Sequence, residues 1–267
     1  MPVIVEPPKI NVNRRFAIRQ PELAILFEDD RLVAVAKPAH LATIPGRGAT
    51  DSVLEMLSRQ TGLPCMGTAD PRLRVVHRLD KETSGTLLLA KDLGAQRHLS
   101  EQFQNNRVQK EYLALVLGRP EKDEGEIDAP IAPHPTSRDR MAVTKHGRAA
   151  RTAWKVERRM RRFTLLRCYP KTGRTHQIRV HLKYVGLPLA IDPLYNPGPP
   201  GGRIGIFLSD YKRDYRPTAG EEERPLIARL TLHAEKLGFV HPDGRPVTIE
   251  CPPPKDFRAV VAQLSKL

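Results

Sequence analysis

The sequence predicts an α+β fold: a mixed, largely antiparallel central sheet flanked by helices and loops. Two observations carry this. Short apolar runs with strand character outnumber helical patterns, and most neighbouring runs are joined by connections of hairpin length. A third narrows it. The chain shows no internal repeat and no low-complexity tract, so solenoids and fibrous folds are set aside.

The elements follow in order. Residues 1–20 bear Pro and Arg and are weakly periodic; they read as an N-terminal arm, with residues 21–267 as the folded domain. "LAILFEDDRLVAVAKP" is two apolar runs around Glu28-Asp29-Asp30-Arg31, a hairpin. "DSVLEMLSRQTG" opens on N-cap residues and ends in Gly, a short helix. "TLLLAKD" is a buried strand. "LGAQRHLSEQFQNNRV" places Leu93, Leu99 and Phe103 at helical spacing before an Asn-Asn stop. "KEYLALVLG" is a strand closed by Gly118-Arg119-Pro120.

"GEIDAPIAPHPTSRDRMAVTKHG" is expected to be loop-rich, with one strand at each end. "AARTAWKVERRMRRFTLLRCYPKTG" reads as two strands joined by a basic turn. In "RTHQIRVHLKYVG", Ile178, Leu182 and Val185 keep helical register up to Gly186. Residues 196–224, rich in Gly, Pro and charge, are expected to form a long surface insertion. The chain closes with strands around a Pro-Asp-Gly turn and a final helix.

Composition bounds the function. A chain of 267 residues is long enough for one large domain or two small ones. The net charge of +14 and the pI near 10.0 bear on partners rather than on fold. Nucleic acid is the commonest polyanion for such a surface, and an anionic membrane is the rival. No apolar run reaches membrane-spanning length, and the start of the chain lacks a signal-peptide pattern, so a cytoplasmic protein is expected. Cys65, Cys168 and Cys251 are far apart and form no CxxC, which leaves reduced, packed thiols.

Candidate chemistry narrows by elimination. His176 and His181 stand five apart on the expected helix, which turns them roughly 140° from one another. Zinc-binding helices use a spacing of four, so no metal site is expected. Ser84 lies in "TSGT" rather than a GxSxG elbow, and neither a P-loop nor a dinucleotide fingerprint is present. A carboxylate is left. Asp80 lies in "RVVHRLDKETSGTLLLAKD", after the apolar Leu73, Val75 and Val76 and beside Arg78 and Lys81. An Asp among cations is expected to stay ionised, which suits a nucleophile or an electrostatic stabiliser at a sugar carbon. The plain alternative is a turn residue or a cap.

The wider pattern favours chemistry. "HRLDKETSG", "KEYLALV", "GRTHQIRVHL" and "LHAEKLGF", together with "VAVAKPAHLATIPG", resemble in order and spacing the motifs of the RluA-type RNA pseudouridine synthases. The resemblance runs from about residue 21 to the C-terminus, and two of its motifs are long and nearly fully specified.

The resemblance implies the pseudouridine synthase catalytic fold and a cofactor-free isomerisation of uridine in ribosomal or transfer RNA, by an enzyme expected to be monomeric. It implies that Asp80 is the catalytic aspartate. Tyr112 matches the tyrosine that stacks on the target base, and Arg179 the basic residue that pairs with the aspartate. Arg174 is the second candidate for that pairing, or a phosphate ligand. Arg78 matches the arginine that displaces the flipped nucleotide or holds its phosphate. His77, Thr83 and Ser84 fall on motif positions read mainly as loop scaffold; His77 and Thr83 are also carried as substrate-side candidates. Extruding the nucleotide makes its glycosidic bond reachable, and phosphate contacts and stacking offset the loss of stacking in the RNA.

The sequence also departs from the family pattern. Only about 20 residues precede the motifs, too few for the separate S4 domain that many relatives carry. RNA selection is then expected to rest on the catalytic domain, the arm (Arg14, Arg15, Arg19) or the insertion. The usual "GD..Y" is here "AIDPLY", which keeps Asp192 and Tyr195 but puts Ala190 or Ile191 in place of Gly. The insertion interleaves Phe207, Tyr211 and Tyr215 with Lys212, Arg213 and Arg216, either as a single-strand surface or as self-packed aromatics. "ERRMRRF" reads as a solvated charge cluster, with an RNA contact as the alternative. Two other functions compete: an RNA-binding protein that keeps the fold without catalysis, and a hydrolase using Asp80 with a second carboxylate, for which Glu82 is the nearest.

Overall fold

The structure, a computed structural model, describes residues 22–46, 51–198, 202–212, 214–216, 220 and 222–267. They fall into two compact units. The first runs up to Gln109 and takes in Ala234–Cys251; the second comprises Lys110–His233 and Pro252–Leu267.

In the first unit, β1 (Ala24–Glu28) and β2 (Leu32–Lys37) form the expected hairpin, with the side chain of Asp29 accepting from the backbone of Arg31 and Leu32 in its turn. Next to β2 lies β4 (Ser84–Ala90), antiparallel, with the two-residue β3 (Arg74–Val75) also paired to it. Beyond β4 comes β11 (Leu232–Val240), which forms a hairpin with β12 (Pro246–Glu250) through the Pro-Asp-Gly turn, where Gly244 has φ 93°. Every residue of β4 is buried, which is why it reads as an apolar run rather than an alternating strand.

Two helices complete this unit. α1 (Val53–Thr61) starts on Ser52, whose hydroxyl accepts from Glu55 N and donates back to the Glu55 carboxylate, and stops at Gly62 with φ 72°. α2 (Leu93–Gln104) is capped by Asp92, which also takes two hydrogen bonds from Arg31 at 2.9 Å. Those bonds hold the Asp92 carboxyl down to about 2. Asn106 ends the helix region at φ 55°, in keeping with the Asn-Asn pair. The core gathers Leu32, Ala34, Leu88, Leu99, Val108 and Phe239.

The second unit is built on four antiparallel strands in the order β5 (Gln109–Leu117), β10 (Phe163–Pro170), β9 (Arg151–Arg159), β6 (Glu124–Asp128). Successive side chains of a strand point to opposite faces, and both faces are covered here. Ala114, Val116, Leu166 and Cys168 pack with Ile178 and Leu182 of α3 (Gln177–Tyr184). Leu113, Leu115, Phe163 and Leu165 pack with Phe257, Val260 and Leu264 of α4 (Lys255–Leu264). Burial pushes the thiols of Cys168 and Cys251 up to about 12, as inert packed cysteines require.

The segment expected to be loop-rich is more ordered than its prolines suggest. Between its ends lies a two-stranded hairpin, β7 (Ile131–His134) and β8 (Ser137–Val143), with an irregular register at Pro133/His134. Proline is compatible with such an edge pairing because the missing donor need not face a partner. The turn of "ERRMRRF" buries Met160, while Arg159 donates to Asp123 and to the carbonyls of Pro120 and Lys122. Arg161 and Arg162 are exposed, as a solvated cluster would be.

In the described part of the 196–224 segment, Phe207 and Tyr211 pack inward. Phe207 is buried beneath the guanidinium of Arg203, 3.9 Å from the ring centroid, and Tyr211 meets Phe163 edge-on at 5.2 Å. Arg203 is held by Asp210 and Glu223. These two rings serve the core rather than a base-stacking surface; Lys212 and Arg216 are exposed, and Arg213 lies outside the described residues, as does the whole arm with Arg14, Arg15 and Arg19. Ile191 is buried in the core cluster, and Ala190 N donates to Leu115 O. The position where the family pattern has Gly therefore packs as an ordinary apolar residue.

Candidate functional site

The stretch around Asp80 is a turn gripped from both sides by one segment of the first unit. Lys37, the last residue of β2, is 1% exposed, and its ammonium donates to the carbonyls of Pro38 (2.8 Å), Leu41 (2.6 Å) and Lys81 (3.0 Å). Three donors meet three acceptors. Burial pushes the Lys37 amine down to about 8, with the charges of Glu82 and Asp80 pulling it back. On the other side of Asp80, the Thr43 hydroxyl donates to Leu79 O at 3.1 Å and accepts from Leu79 N at 3.3 Å. The backbone is thus fixed one residue before Asp80 and one after it. Thr83 N closes the turn onto Asp80 O at 3.0 Å.

The strand that follows depends on one glycine. Gly85 has φ 126°, and a Cβ there would lie 2.2 Å from Ala234 O on the neighbouring strand. Only Gly permits that approach, which accounts for the end of "HRLDKETSG".

The other residues of the stretch divide by burial. His77 stacks on Phe103 (centroids 4.5 Å apart, planes at 15°), and its Nε2 accepts from Leu88 N at 3.0 Å. Thr83 is 2% exposed. Ser84, next along the chain, is buried as well. Arg78 is exposed and Asp80 half-buried. Glu82, the second carboxylate a hydrolase would need, is paired with His40.

In the second unit Tyr112 stands on β5 opposite Cys168, half-buried, with its ring against the core cluster that includes Ala114 and Leu182. Arg179, on α3, is buried and makes a two-pronged ion pair with Asp192: Nε to Oδ2 at 2.8 Å and Nη2 to Oδ1 at 2.7 Å. Asp192 also accepts from Leu194 N and Tyr195 N, so its own loop is wound around the carboxylate. The Arg179 guanidinium lies 5.1 Å above the Tyr195 ring, and the Tyr195 hydroxyl accepts from Met141 N and meets His176 Nδ1 at 2.9 Å. Asp192 and Tyr195, kept in "AIDPLY", fix how Arg179 points.

The approach to α3 is anchored by Gln177, whose carbonyl oxygen accepts from Thr172 Oγ1 and Arg174 N while its amide donates to Arg151 O and Thr152 Oγ1. His176 enters the helix at φ 54°. Buried His181 uses both ring nitrogens, on Thr152 and on Ala129 O, and burial holds its pKa below the usual histidine range. Arg174 is half-buried, with Nε on Ala149 O at 3.0 Å.

Sequence reasoning puts Asp80, Arg78, His77 and Thr83 on one stretch, and the first unit holds them there; Tyr112, Arg174 and Arg179 belong to the second. It gives no role to Lys37, Thr43 or Gln177. The Lys-Pro turn is a usable signal for Lys37, since a lysine ending a run of buried strand residues must find acceptors.

Comparison with known proteins bears on the family of the chain. The family model for RNA pseudouridylate synthase matches residues 31–184, more than half of the chain. A Nitrosomonas europaea protein named ribosomal large subunit pseudouridine synthase D is 43% identical over 92% of this chain and 66% of its own length. One of the same name from Xanthomonas campestris is 40% identical over 91% of this chain and 69% of its own. The chain thus spans about two thirds of the length of these relatives. Among solved structures, human RNA pseudouridylate synthase domain containing 4 superposes with a TM-score of 0.69 at 26% identity, covering 90% of this chain and 92% of that one. With family model, relatives and fold in agreement, the chain belongs to the RNA pseudouridylate synthase family.

Proposed function

We propose that the protein isomerises uridine in large-subunit ribosomal RNA to pseudouridine, the substrate following the names of its relatives. The N1–C1′ bond of the flipped nucleotide breaks, the uracil turns, and C5 bonds to C1′. The hydrogen on C5 leaves to solvent and N1 takes up a proton, so atoms balance without an oxidant or reductant. The observation that carries the reading is the grip on Asp80: a carboxylate whose backbone is pinned at Leu79 by Thr43 and at Lys81 by Lys37 is preorganised for chemistry.

In this reading Asp80 acts at the glycosidic unit, Tyr112 offers a ring face to the base, and Arg179 supplies the cation for Asp80. Arg78 and Arg174 take RNA phosphates or the displaced nucleotide. In the same reading the enzyme works as a monomer in the cytoplasm, where the ribosomal RNA named for its relatives is found. No helix among the described residues is long and apolar enough to cross a membrane.

Tritium release from ribosomal RNA labelled as 5-[3H]uridine tests the reading, with RNA taken from a strain deleted for the gene. Release by the wild type and none by Asp80→Asn, with folding and RNA binding retained, is the expected result. Free uracil would instead indicate a glycosidase. Silence from both proteins would leave an RNA-binding protein without catalysis, and equal losses of binding and activity in Asp80→Asn would make Asp80 structural.

A further inference from the structure

Three cations of the second unit stand together without a carboxylate. Lys110, the second residue of β5, is half-buried; its Nζ donates to the Thr172 carbonyl at 3.2 Å. The positive charge of Arg174 acts on Lys110, and that of Arg148 acts on Arg174. Arg174 is turned by its Nε bond to Ala149 O, one residue along from Arg148. Among the described residues none of the three makes an ion pair, although carboxylates occupy other cations nearby in sequence: Glu111 takes Arg167, and Asp128 takes Arg151.

Such a cluster is unfavourable when empty. Like charges repel, and partial burial removes the water that would screen them. The chain also leads from Arg174 directly into α3, whose N-cap His176 makes no side-chain capping bond, so the positive end of the helix dipole adds to the same field. An anion answers all of these features, and guanidinium and ammonium groups are the usual partners of phosphate oxygens.

We propose that Lys110, Arg174 and Arg148 form a backbone-phosphate subsite for the RNA strand, with Lys110 as its half-buried anchor and Arg148 at its rim. The subsite rests on the synthase reading only for the identity of the RNA; its geometry stands in this unit alone. Lys110 is two residues before Tyr112 on the same strand, so both side chains lie on one face of β5. A phosphate held at Lys110 would therefore set the register of the strand whose base is to stack on Tyr112.

The test is the salt dependence of binding to a fluorescein-labelled single-stranded oligouridylate. Lys110→Gln, Arg174→Gln and Arg148→Gln should each weaken binding and lower the slope of log affinity against log salt by about 0.7 for every phosphate no longer neutralised. Lys110→Arg should keep the wild-type slope, and Arg258→Gln, exposed on α4, should match the wild type. Thermal unfolding checks that each variant folds; Arg148 is exposed, so its variant reads the subsite even where a buried change disturbs the fold. Wild-type slopes in the folded Gln variants would overturn the proposal, as would a collapse of turnover with unchanged affinity. Tritium release by the wild type is measured in parallel. Its failure would remove the synthase reading while leaving the slopes to decide the subsite.

Discussion

Arg179 and Asp192 hold each other through two short hydrogen bonds with both side chains withdrawn from water, at 3% and 1% exposure. A buried pair of this kind is weak evidence of net stability, but breaking it leaves a stranded charge. Asp192→Asn keeps the shape and removes the charge. It should destabilise the protein by about 3–5 kcal/mol in urea unfolding. In the folded fraction it should depress tritium release strongly, because Arg179 loses the partner that aims it. A variant with wild-type stability and turnover would show that Asp192 is dispensable for Arg179.

Much of this is legible in the sequence, and the reason is physical. β4 is a buried run and β5 ends in one, α1 and α2 carry side-chain caps, and the hairpin turns carry Asp or Gly, so local chemistry and global fold agree. The β7–β8 hairpin is not legible, because Pro133 and Pro135 mask strand character that tertiary pairing supplies. The role of Asp192 is hidden because it faces Arg179 across a loop. Phe207 and Tyr211 leave both readings open in the sequence, since an aromatic among basic residues looks the same whether it stacks on a base or packs inward, as Tyr211 does edge-on against Phe163 and Phe207 does beneath Arg203.

Lys37 tests the grip on the Asp80 turn. Lys37→Met keeps the length and apolar stem of the side chain but orphans the carbonyls of Pro38, Leu41 and Lys81. Each buried acceptor left unmet costs about 1–3 kcal/mol. The urea midpoint should fall clearly. Turnover of the folded enzyme should drop by about 100-fold, the scale of a small misplacement of a reacting group. Unchanged kcat alongside the stability loss would mean that the grip supports the fold but not the placement of Asp80.

Tyr112 separates ring face from hydroxyl. Tyr112→Phe keeps the face and should retain partial tritium release. Tyr112→Ala removes it and should weaken oligouridylate binding by about 1–3 kcal/mol, the worth of one base–aromatic stack. Complete loss of activity in Tyr112→Phe, with binding intact, would give the hydroxyl a chemical role.

Lys110 makes a prediction in pH. Burial first, and then the charge of Arg174, push its amine from 10.5 down to about 8. The groups facing it are the Thr172 carbonyl and Arg174, while Glu111, next along the strand, is engaged by Arg167. Below pH 8 Lys110 is an ammonium and binds phosphate; as pH rises through 8 the charge is lost. Affinity for oligouridylate should therefore fall between pH 7 and pH 9, about the window that this value sets. Lys110→Arg should flatten that fall, since arginine stays charged throughout. Stability should move the other way. Between 8 and 10.5 the unfolded chain still holds the proton that the native state has released, so unfolding free energy rises with pH from this group. Lys37 adds a rise of the same sign, so the difference between wild type and Lys110→Gln isolates the share of Lys110. Affinity that stays level from pH 7 to pH 9 in the wild type would mean that Lys110 holds no phosphate.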